Sequence, residues 1–209
     1  MNIKIGLISD VHATPAPLRE ALELFRRAGV AMVLCAGDVA GYGDDLETTA
    51  QLLIEGGCQV VIGNHDLWHL QRGDADPGGA VYRWLGRLPR RLELSVAGLQ
   101  ISMMHASPPD SLLEGIKLLD EDGRLLAGEQ ERWSDTLRTF PGDVLVVGHT
   151  HQVFAERLGH PLVVNPGSTR FNHSCAILQL PEQTVAFHPL GGRPLLPAWN
   201  WGREWRAGR

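Results

Sequence analysis

The sequence predicts an α/β fold built around a mainly parallel β-sheet, with polar side chains gathered at one edge of that sheet. Two observations carry this prediction. Over residues 3–62, short apolar segments alternate with amphipathic ones in the order strand, helix, strand, helix, strand. In addition, the apolar segments stop abruptly at aspartate, asparagine or histidine, and open α/β sheets hold their ligands at the carboxyl ends of parallel strands.

Five strand-like segments end in this way. In the clearest one, Val60-Val61-Ile62 is followed by Gly63, which permits a tight turn, and then by Asn64-His65-Asp66. The other four segments and the polar residues that follow them are 3–9 before Asp10 and His12, 31–36 before Asp38, 99–104 before His105, and 144–147 before His149 and His151.

The first two helices have recognisable ends. Thr14 is placed to cap a helix with Pro15 in its first turn, and Gly29 is placed to end it. Asp45 is placed to cap a second helix over about 46–55. These helices connect the first three strands, so right-handed crossovers and parallel pairing are expected.

The rest of the chain is predicted with less regular signals. Helices are expected at 80–86, 112–119 and 129–138, and 96–98 reads as the turn of a hairpin. Short β segments at 153–157, 162–164, 175–180 and 184–188 predict a second sheet. We expect a single domain over 1–209, in which 190–209 is an irregular tail rich in tryptophan.

Composition narrows the class of protein. With 209 residues, 44% of them hydrophobic, the chain can bury one sizeable core, and its net charge of −5 argues against an extended nucleic-acid surface. Cys35, Cys58 and Cys175 are odd in number and far apart, which argues against a disulfide framework and favours a reducing cytoplasm. No signal peptide and no apolar run near the roughly 20 residues of a membrane helix is visible. The oligomeric state stays open.

Seven side chains at the strand ends form the ligand inventory of a metal site. A single buried histidine is more often a hydrogen-bonded core residue, but the set as a whole favours metal binding. Asp38 can bridge two cations, and carboxylate, amide and imidazole without thiolate suit Mn, Fe, Zn, Co or Ni better than Ca. The seven are Asp10, His12, Asp38, Asn64, His105, His149 and His151.

These motifs occur in the order and spacing of the calcineurin-like metallophosphoesterases. Within that superfamily the chain resembles the small bacterial and archaeal phosphodiesterase-like branch, which carries segments similar to 37–43, 105–108 and 165–168. The resemblance implies a four-layer α/β/β/α sandwich of two mixed β-sheets flanked by helices. It also implies a dinuclear centre of two divalent transition-metal ions, with Mn placed first and Fe, Zn, Ni or Co as alternatives.

By position, the resemblance assigns Asp10, His12, Asp38 and His151 to one cation, and Asp38, Asn64, His105 and His149 to the other. It makes His65 a catalytic residue that does not bind metal and meets the substrate phosphate, with Asn64 also at the substrate. Asp66 either orients His65 or anchors the loop. The implied chemistry is attack on phosphorus by a hydroxide formed from water on the two cations.

The resemblance leaves more than one function open. The first is a phosphodiesterase or phosphatase acting on a small phosphoester, with nucleotides among the candidates and no membrane partner. The second is a scaffold of the same fold without catalysis. A protein phosphatase is disfavoured, because Gly37–Gly43 lacks the arginine of the Gly-Asp-x-x-Asp-Arg-Gly motif. Tyr42 and Arg170 are candidates to line the cleft, and 165–168 is predicted to be a structural turn beneath the metal loops.

Overall fold

The computed structural model describes residues 2–72 and 76–199, and this part of the chain contains ten strands and five helices. In chain order these are β1 (Ile3–Ile8), α1 (Pro15–Ala28), β2 (Met32–Cys35), α2 (Leu46–Glu55), β3 (Gln59–Val60), α3 (Asn64–Gln71), α4 (Ala80–Leu85), β4 (Arg91–Val96), β5 (Leu99–Met104), α5 (Ala127–Thr136), β6 (Val144–Val146), β7 (Val153–Arg157), β8 (Leu162–Pro166), β9 (Ser174–Leu180) and β10 (Thr184–Pro189). None of the helices in these ranges combines the length and apolar character that a membrane span requires.

The strands form two mixed sheets of five strands each. The first has the order β10-β9-β1-β2-β3, in which β1, β2 and β3 are parallel and β9 runs antiparallel to β1. The second has the order β4-β5-β6-β8-β7, with a parallel centre and one antiparallel strand at each edge. The carboxyl ends of the parallel strands in both sheets therefore supply the loops of one site.

The sheets pack face to face and helices cover their outer faces. Ile5 and Leu7 of β1 lie in one buried cluster with Ile101 and Met103 of β5. A second cluster joins α1, α2 and α4 to the first sheet, and a third joins α5 to the second sheet. The predicted four-layer arrangement of two mixed sheets flanked by helices is thus confirmed.

The ends of the first two helices agree with the sequence, with one exception. Gly29 ends α1 in the left-handed conformation at φ 69°, and the Asp45 side chain accepts a hydrogen bond from the Thr48 amide at 3.1 Å. Thr14 lies at the N-cap position of α1, but its hydroxyl donates to the His12 carbonyl at 2.8 Å. It therefore fixes the loop that carries His12 and does not cap the helix.

The assignment of the C-terminal strands to a second sheet is correct for only half of them. Strands β7 and β8 belong to the second sheet, whereas β9 and β10 return to the first, where β9 pairs with β1 from Ile3 to Leu7. Alternating apolar residues indicate a strand. Which strand it pairs with depends on tertiary packing, and the local sequence pattern carries no information about that.

The helix predicted at 112–119 is wrong. This segment is irregular, and the Gln152 side chain accepts hydrogen bonds from the Leu118 and Leu119 amides at 2.8 and 3.0 Å. A distant side chain thus satisfies the backbone that a helix would have satisfied internally.

The predicted tail is irregular as far as it is described, through Trp199. Trp201 and Trp205 lie outside the described residues, and the single domain over 1–209 stays a prediction.

Candidate metal centre

Loops from both sheets bring the seven predicted ligands to one place. Six of them lie in loops that follow strands, while Asn64 is the first residue of α3. Their positions are Asp10 and His12 after β1, Asp38 after β2, Asn64 after β3, His105 after β5, and His149 and His151 after β6. The loops are tied together, because the Asp10 and His12 amides donate to the Gly37 and Asp38 carbonyls, each at 3.0 Å.

One group of ligand atoms surrounds Asp10. The Nε2 atom of His151 lies 3.1 Å from Nε2 of His12 and 3.3 Å from Oδ1 of Asp10. The remaining pair, His12 Nε2 and Asp10 Oδ1, is 3.9 Å apart. All three side chains are buried, so the group is a compact cage of two imidazoles and one carboxylate.

A second group surrounds Asn64. Its Oδ1 atom lies 3.0 Å from Nε2 of His105 and 2.9 Å from Nδ1 of His149, and Nε2 of His105 is 3.5 Å from Oδ2 of Asp38. The groups adjoin, because Asp10, Asp38 and His105 also offer ligand atoms that all lie within 4.8 Å of one another. Asp38 therefore stands between two ligand groups.

Backbone carbonyls hold the imidazoles with one nitrogen facing inward. Ala40 O lies 3.1 Å from Nδ1 of His12, Ala36 O lies 2.7 Å from Nδ1 of His105, and Leu113 O lies 2.9 Å from Nε2 of His149. A carbonyl only accepts, so each outer nitrogen carries the proton and the other ring nitrogen points into the site. Metal-binding histidines are typically fixed in this way.

The charged side chains of the site compensate one another. Burial lowers the pKa of His12 to about 4, which keeps that ring neutral. Burial acts in the same direction on His105, but the adjacent Asp38 carboxylate outweighs it and raises the pKa of His105 to about 9. His105 is then a cation that balances Asp38. A metal ion would displace its inward proton, as metal binding to protonated ligands does.

The two carboxylates are oriented by further hydrogen bonds. Oδ2 of Asp10 accepts from the Ser9 hydroxyl at 2.6 Å and from the His149 amide at 3.0 Å. Oδ1 of Asp38 accepts from the His65 amide at 2.8 Å. Burial acts to raise the pKa of Asp10, but the neighbouring histidines, His151 foremost, hold it below its usual value. Both groups remain anionic at neutral pH.

The Asn64 amide can present either end to the two imidazoles. With the amide turned over, its nitrogen would donate to Nε2 of His105 at 3.0 Å and to Nδ1 of His149 at 2.9 Å. Only the orientation with oxygen inward offers an atom that binds a divalent cation, so metal binding selects that orientation.

Five of the seven predicted ligands adopt a backbone conformation that L-amino acids avoid. Their φ angles are 51° at Asp10, 50° at His12, 53° at Asp38, 65° at His149 and 48° at His151. Residues other than glycine seldom occupy the left-handed region, and such strain clusters at functional sites. The strained backbone brings side chains from consecutive loop positions to face one centre.

His65 lies beside this centre. It is half-buried, its ring centroid is 5.0 Å from that of His12, and it offers a nitrogen within 4.8 Å of ligand atoms of His12 and Asp38. Burial lowers the pKa of His65, although Asp38 and Asp10 act in the opposite direction. The ring is therefore mainly neutral at pH 7 and can donate one N–H.

Asp66 has the contacts of an anchor. It is buried, Oδ1 accepts from the Ala40 amide at 2.7 Å and Oδ2 accepts from the Gly63 amide at 2.9 Å. These bonds join the loop after β2 to the start of α3. These contacts agree with the anchoring role considered for Asp66. Within residues 2–72 and 76–199, no hydrogen bond joins the Asp66 carboxylate to the His65 ring.

Aromatic side chains frame the centre, and the sequence revealed only one of them. Tyr42, a predicted cleft residue, lies with its ring centroid 4.6 Å from that of His65. The Trp68 ring centroid also lies 4.8 Å from that of His65, and Phe171 stacks on His151 with a centroid distance of 5.0 Å. The sequence could have indicated Trp68, because it follows Asn64 by four residues and His65 by three on one helix. Residues at these spacings are neighbours on the helix surface.

Two further predictions concern the surroundings of the centre. Arg170 donates to the Thr14 hydroxyl at 2.9 Å, so it supports the loop of His12. The segment 165–168, predicted to be a structural turn, instead begins with the last two residues of β8. It does support the neighbouring loops, because the Asn165 amide donates to the Gly148 carbonyl at 2.9 Å and the Ser168 hydroxyl donates to the Asp10 carbonyl at 2.6 Å.

The donor set fits divalent metal ions. Two adjoining groups combine buried carboxylates with inward imidazole nitrogens whose tautomers are fixed from outside, and hard and borderline cations prefer such oxygen and nitrogen ligands. The set contains no thiolate, because the free cysteines Cys35, Cys58 and Cys175 are not among the clustered groups. The identity of the metal does not follow from these contacts.

Comparison with known proteins identifies the family of this chain. Residues 3–183 match the model of the calcineurin-like phosphoesterase superfamily domain. An uncharacterised protein of Methanocaldococcus jannaschii, MJ0912, is 25% identical over 179 residues, which cover 78% of this chain and 68% of the relative. A metallophosphoesterase from Sphaerobacter thermophilus shares 23% identity with a TM-score of 0.71, over 90% of this chain and 88% of the other.

Two further solved structures resemble the fold. An archaeal phosphodiesterase has a TM-score of 0.59 at 18% identity, covering 90% of this chain and 100% of the other. The vacuolar protein sorting 29 protein of Cryptosporidium parvum has a TM-score of 0.53 at 18% identity, over 90% and 96% of the two chains. With a matching family model over most of its length and clustered Asp and His residues that suggest divalent metal binding, this chain belongs to the calcineurin-like phosphoesterase superfamily.

Proposed function

We propose that this protein is a metal-dependent phosphoesterase that hydrolyses small phosphoesters, either monoesters or diesters. The observation that carries the proposal is the pair of adjoining ligand groups, with Asp38 between them and with inward imidazole nitrogens held by backbone carbonyls. A pair of neighbouring divalent cations is the usual machinery for in-line displacement at phosphorus, and these two ligand groups would hold such a pair.

In this proposal Asp38 would be a ligand of both cations. Asp10, His12 and His151 complete one ligand set. Asn64, His105 and His149 complete the other. When bound, the cations would supply Lewis acidity that lowers the pKa of a water molecule and neutralises charge on the phosphoryl oxygens. We place manganese first, and the same ligands accept Fe, Zn, Ni or Co, so availability would influence the choice.

His65 is the proposed catalytic residue among the groups that do not bind metal. Its neutral ring can donate an N–H to a phosphoryl oxygen, which gains charge as the nucleophile attacks, or it can deliver a proton to the departing oxygen. Asn64 would touch substrate as well, since it lies on the same turn of α3. Asp66 is a positioning residue, because it fixes the start of α3 and with it both side chains.

The direct test of the proposal is hydrolysis of aryl phosphomonoesters and aryl phosphodiesters by the purified full chain. We expect turnover of at least one class when Mn²⁺ is added and loss of turnover when the metal is chelated. Bound metal without turnover of either class would contradict the proposal.

Replacement of His65 by alanine is expected to lower kcat by about 10² to 10⁴, the usual contribution of one acid or base. Metal content should stay unchanged, because the seven proposed ligands remain. Steady-state kinetics and metal analysis of His65→Ala check this, with His160→Ala as the control, since His160 lies away from the site and bonds the Gly142 carbonyl. Unchanged kcat in His65→Ala would remove the catalytic role of this residue alone.

Addition of Mn²⁺ is expected to raise the thermal unfolding temperature. A metal concentration about 100 times the Kd stabilises the folded state by about 2.7 kcal/mol. For a chain of this size that corresponds to roughly 5 to 10 °C. Calorimetry with metal, without metal and with chelator measures the shift. A Tm indifferent to metal would count against a preformed site.

A scaffold without catalysis is the second candidate, and the shared fold of the vacuolar protein sorting 29 protein favours keeping it. The intact ligand groups and His65 favour the enzyme. The same hydrolysis assay separates the two. The cytoplasmic location and the small phosphoester partner, with a nucleotide among the candidates, are part of the proposal.

A further inference from the structure

A groove of about 240 Å³ lies next to Asn64, on the side of the centre that carries Trp68. Its walls are formed chiefly by Asn64, Leu67, Trp68, Arg90, Leu112 and Leu113. Ligand pockets usually span about 300 to 1,000 Å³, so this groove suits one ring system and its substituents. Asn64 is also a proposed metal ligand, so the groove borders the proposed metal site. A substrate whose phosphorus lies at the cations would therefore place one of its substituents in the groove.

Trp68 offers the groove a stacking surface. Its ring centroid is 4.8 Å from that of His65, and yet 44% of the residue is exposed. Opposite it, Leu113 is 65% exposed although its own carbonyl is held by His149 at 2.9 Å. Exposed aromatic rings beside a nucleotide site typically stack on bases, which have a π-face whatever their sequence.

Among the described residues that line the groove, Arg90 alone carries a formal charge. Its backbone is fixed beside the site, because the Ile62 amide donates to the Pro89 carbonyl at 2.9 Å. Within residues 2–72 and 76–199, several arginines form ion pairs with Asp or Glu, and Arg90 is not among them. The Arg90 guanidinium is thus available for an anion on a ligand, and a guanidinium pairs well with phosphate.

We propose that this groove binds the leaving group of the substrate, and that this leaving group is a nucleotide whose base stacks on Trp68 and whose phosphate pairs with Arg90. The inference rests on the phosphoesterase function proposed above and names its substrate class, which is short linear dinucleotides with a 5′-phosphate. Hydrolysis forms a bond from the oxygen of water to the bridging phosphorus and breaks the bond to the 3′ oxygen. That oxygen leaves with a proton, so the products are two mononucleotides.

Kinetics with two dinucleotides test the assignment in the Mn-loaded full chain. The substrates are diadenylate with a 5′-phosphate and the same dinucleotide without it. We expect the wild type to prefer the phosphorylated substrate by about fivefold in kcat/KM, the usual scale for an exposed ion pair, and less at high salt. Arg90→Gln should abolish this preference, and Trp68→Ala should raise KM for both substrates about tenfold through lost stacking.

Arg87→Gln is the matched control for Arg90, since Arg87 is exposed, lies three residues away and does not line the groove. It should keep the preference of the wild type. Two outcomes would overturn the assignment of Arg90. In the first, Arg87→Gln and Arg90→Gln lose the preference for the 5′-phosphorylated substrate to the same extent. In the second, Arg90→Gln keeps that preference in full.

Calorimetric titration in the presence of chelator gives a readout that does not depend on turnover. Adenosine 5′-monophosphate should bind more tightly than adenosine, with the difference lost in Arg90→Gln and both affinities reduced in Trp68→Ala. If these results hold while no phosphoester is hydrolysed, the groove stands and the proposed enzymatic function falls. If aryl phosphodiesters are hydrolysed but the mononucleotide fails to bind, or binds the variants as it binds the wild type, the groove assignment is wrong.

Discussion

Replacement of Asp38 by alanine is expected to abolish metal-dependent phosphoester hydrolysis, with kcat/KM falling by at least about 10³. Removing a residue that only supports a metal ligand lowers metal affinity or activity about 10- to 100-fold. The effect should be larger at Asp38, because it stands between both ligand groups. Its Oδ2 atom lies 3.5 Å from Nε2 of His105, while Oδ1 is held by the His65 amide. Without this carboxylate, neither group retains its shared anion.

The measurements are hydrolysis rates with Mn²⁺ and the number of metal ions retained per chain. Asp38→Asn is the sharper variant, because it keeps the shape and removes the charge, and it should lose metal as Asp38→Ala does. The exposed Asp135→Asn is the control and should match the wild type. Two metal ions per chain together with normal turnover in Asp38→Ala would refute the shared-carboxylate arrangement.

Replacement of Gly63 by alanine is expected to lower phosphoester hydrolysis nearly as much as the Asp38 variants do, although Gly63 carries no side chain. A Cβ atom there would lie 2.0 Å from Oδ1 of Asp38 and 2.4 Å from the Asp38 backbone nitrogen. Its φ of −105° is accessible to alanine, so the damage comes from the collision and not from backbone strain. We expect a loss of about 3 kcal/mol in the free energy of unfolding, the upper range for overpacking. Turnover should be lost because Asp38 is displaced.

Gly128 provides the matched comparison. It is the second residue of α5, and a Cβ atom there would meet nothing within 4 Å. Gly128→Ala should therefore stabilise the protein, by at most about 0.5 to 1 kcal/mol, which is the cost of glycine in a helix interior. Denaturant unfolding and hydrolysis assays of both variants measure the contrast. An active, fully stable Gly63→Ala protein would mean that the loops of Asp38 and Asn64 are not packed as described.

The clustering of the predicted ligands could be foreseen from the sequence because its signal is local. Each apolar segment that stops at a polar residue marks a strand end, and the geometry of parallel sheets brings such ends together wherever the strands lie. Asp10, Asp38 and His149 were found in this way, although His149 belongs to the other sheet. The order of the strands was not needed for the prediction.

Features that depend on distant partners were not predicted. Leu112, Ile116 and Leu119 recur at helical spacing and are all buried, yet their segment packs irregularly, because Gln152 satisfies its amides and Gly115 approaches Thr150 closely. Strand β9 pairs with β1, which is more than 160 residues away in the sequence. Such partners are chosen by tertiary packing, and a local pattern cannot contain them.

The left-handed backbone at five predicted ligand positions has a consequence for folding stability. Each of these residues holds its conformation at a cost of about 1 kcal/mol or more, which glycine would avoid. Glycine at Asp10 or His12 would relieve that strain, but it would also delete a fully buried side chain and leave its hydrogen-bond partners unpaired. The contacts of these side chains therefore hold the loops in a conformation that the backbone alone would not favour.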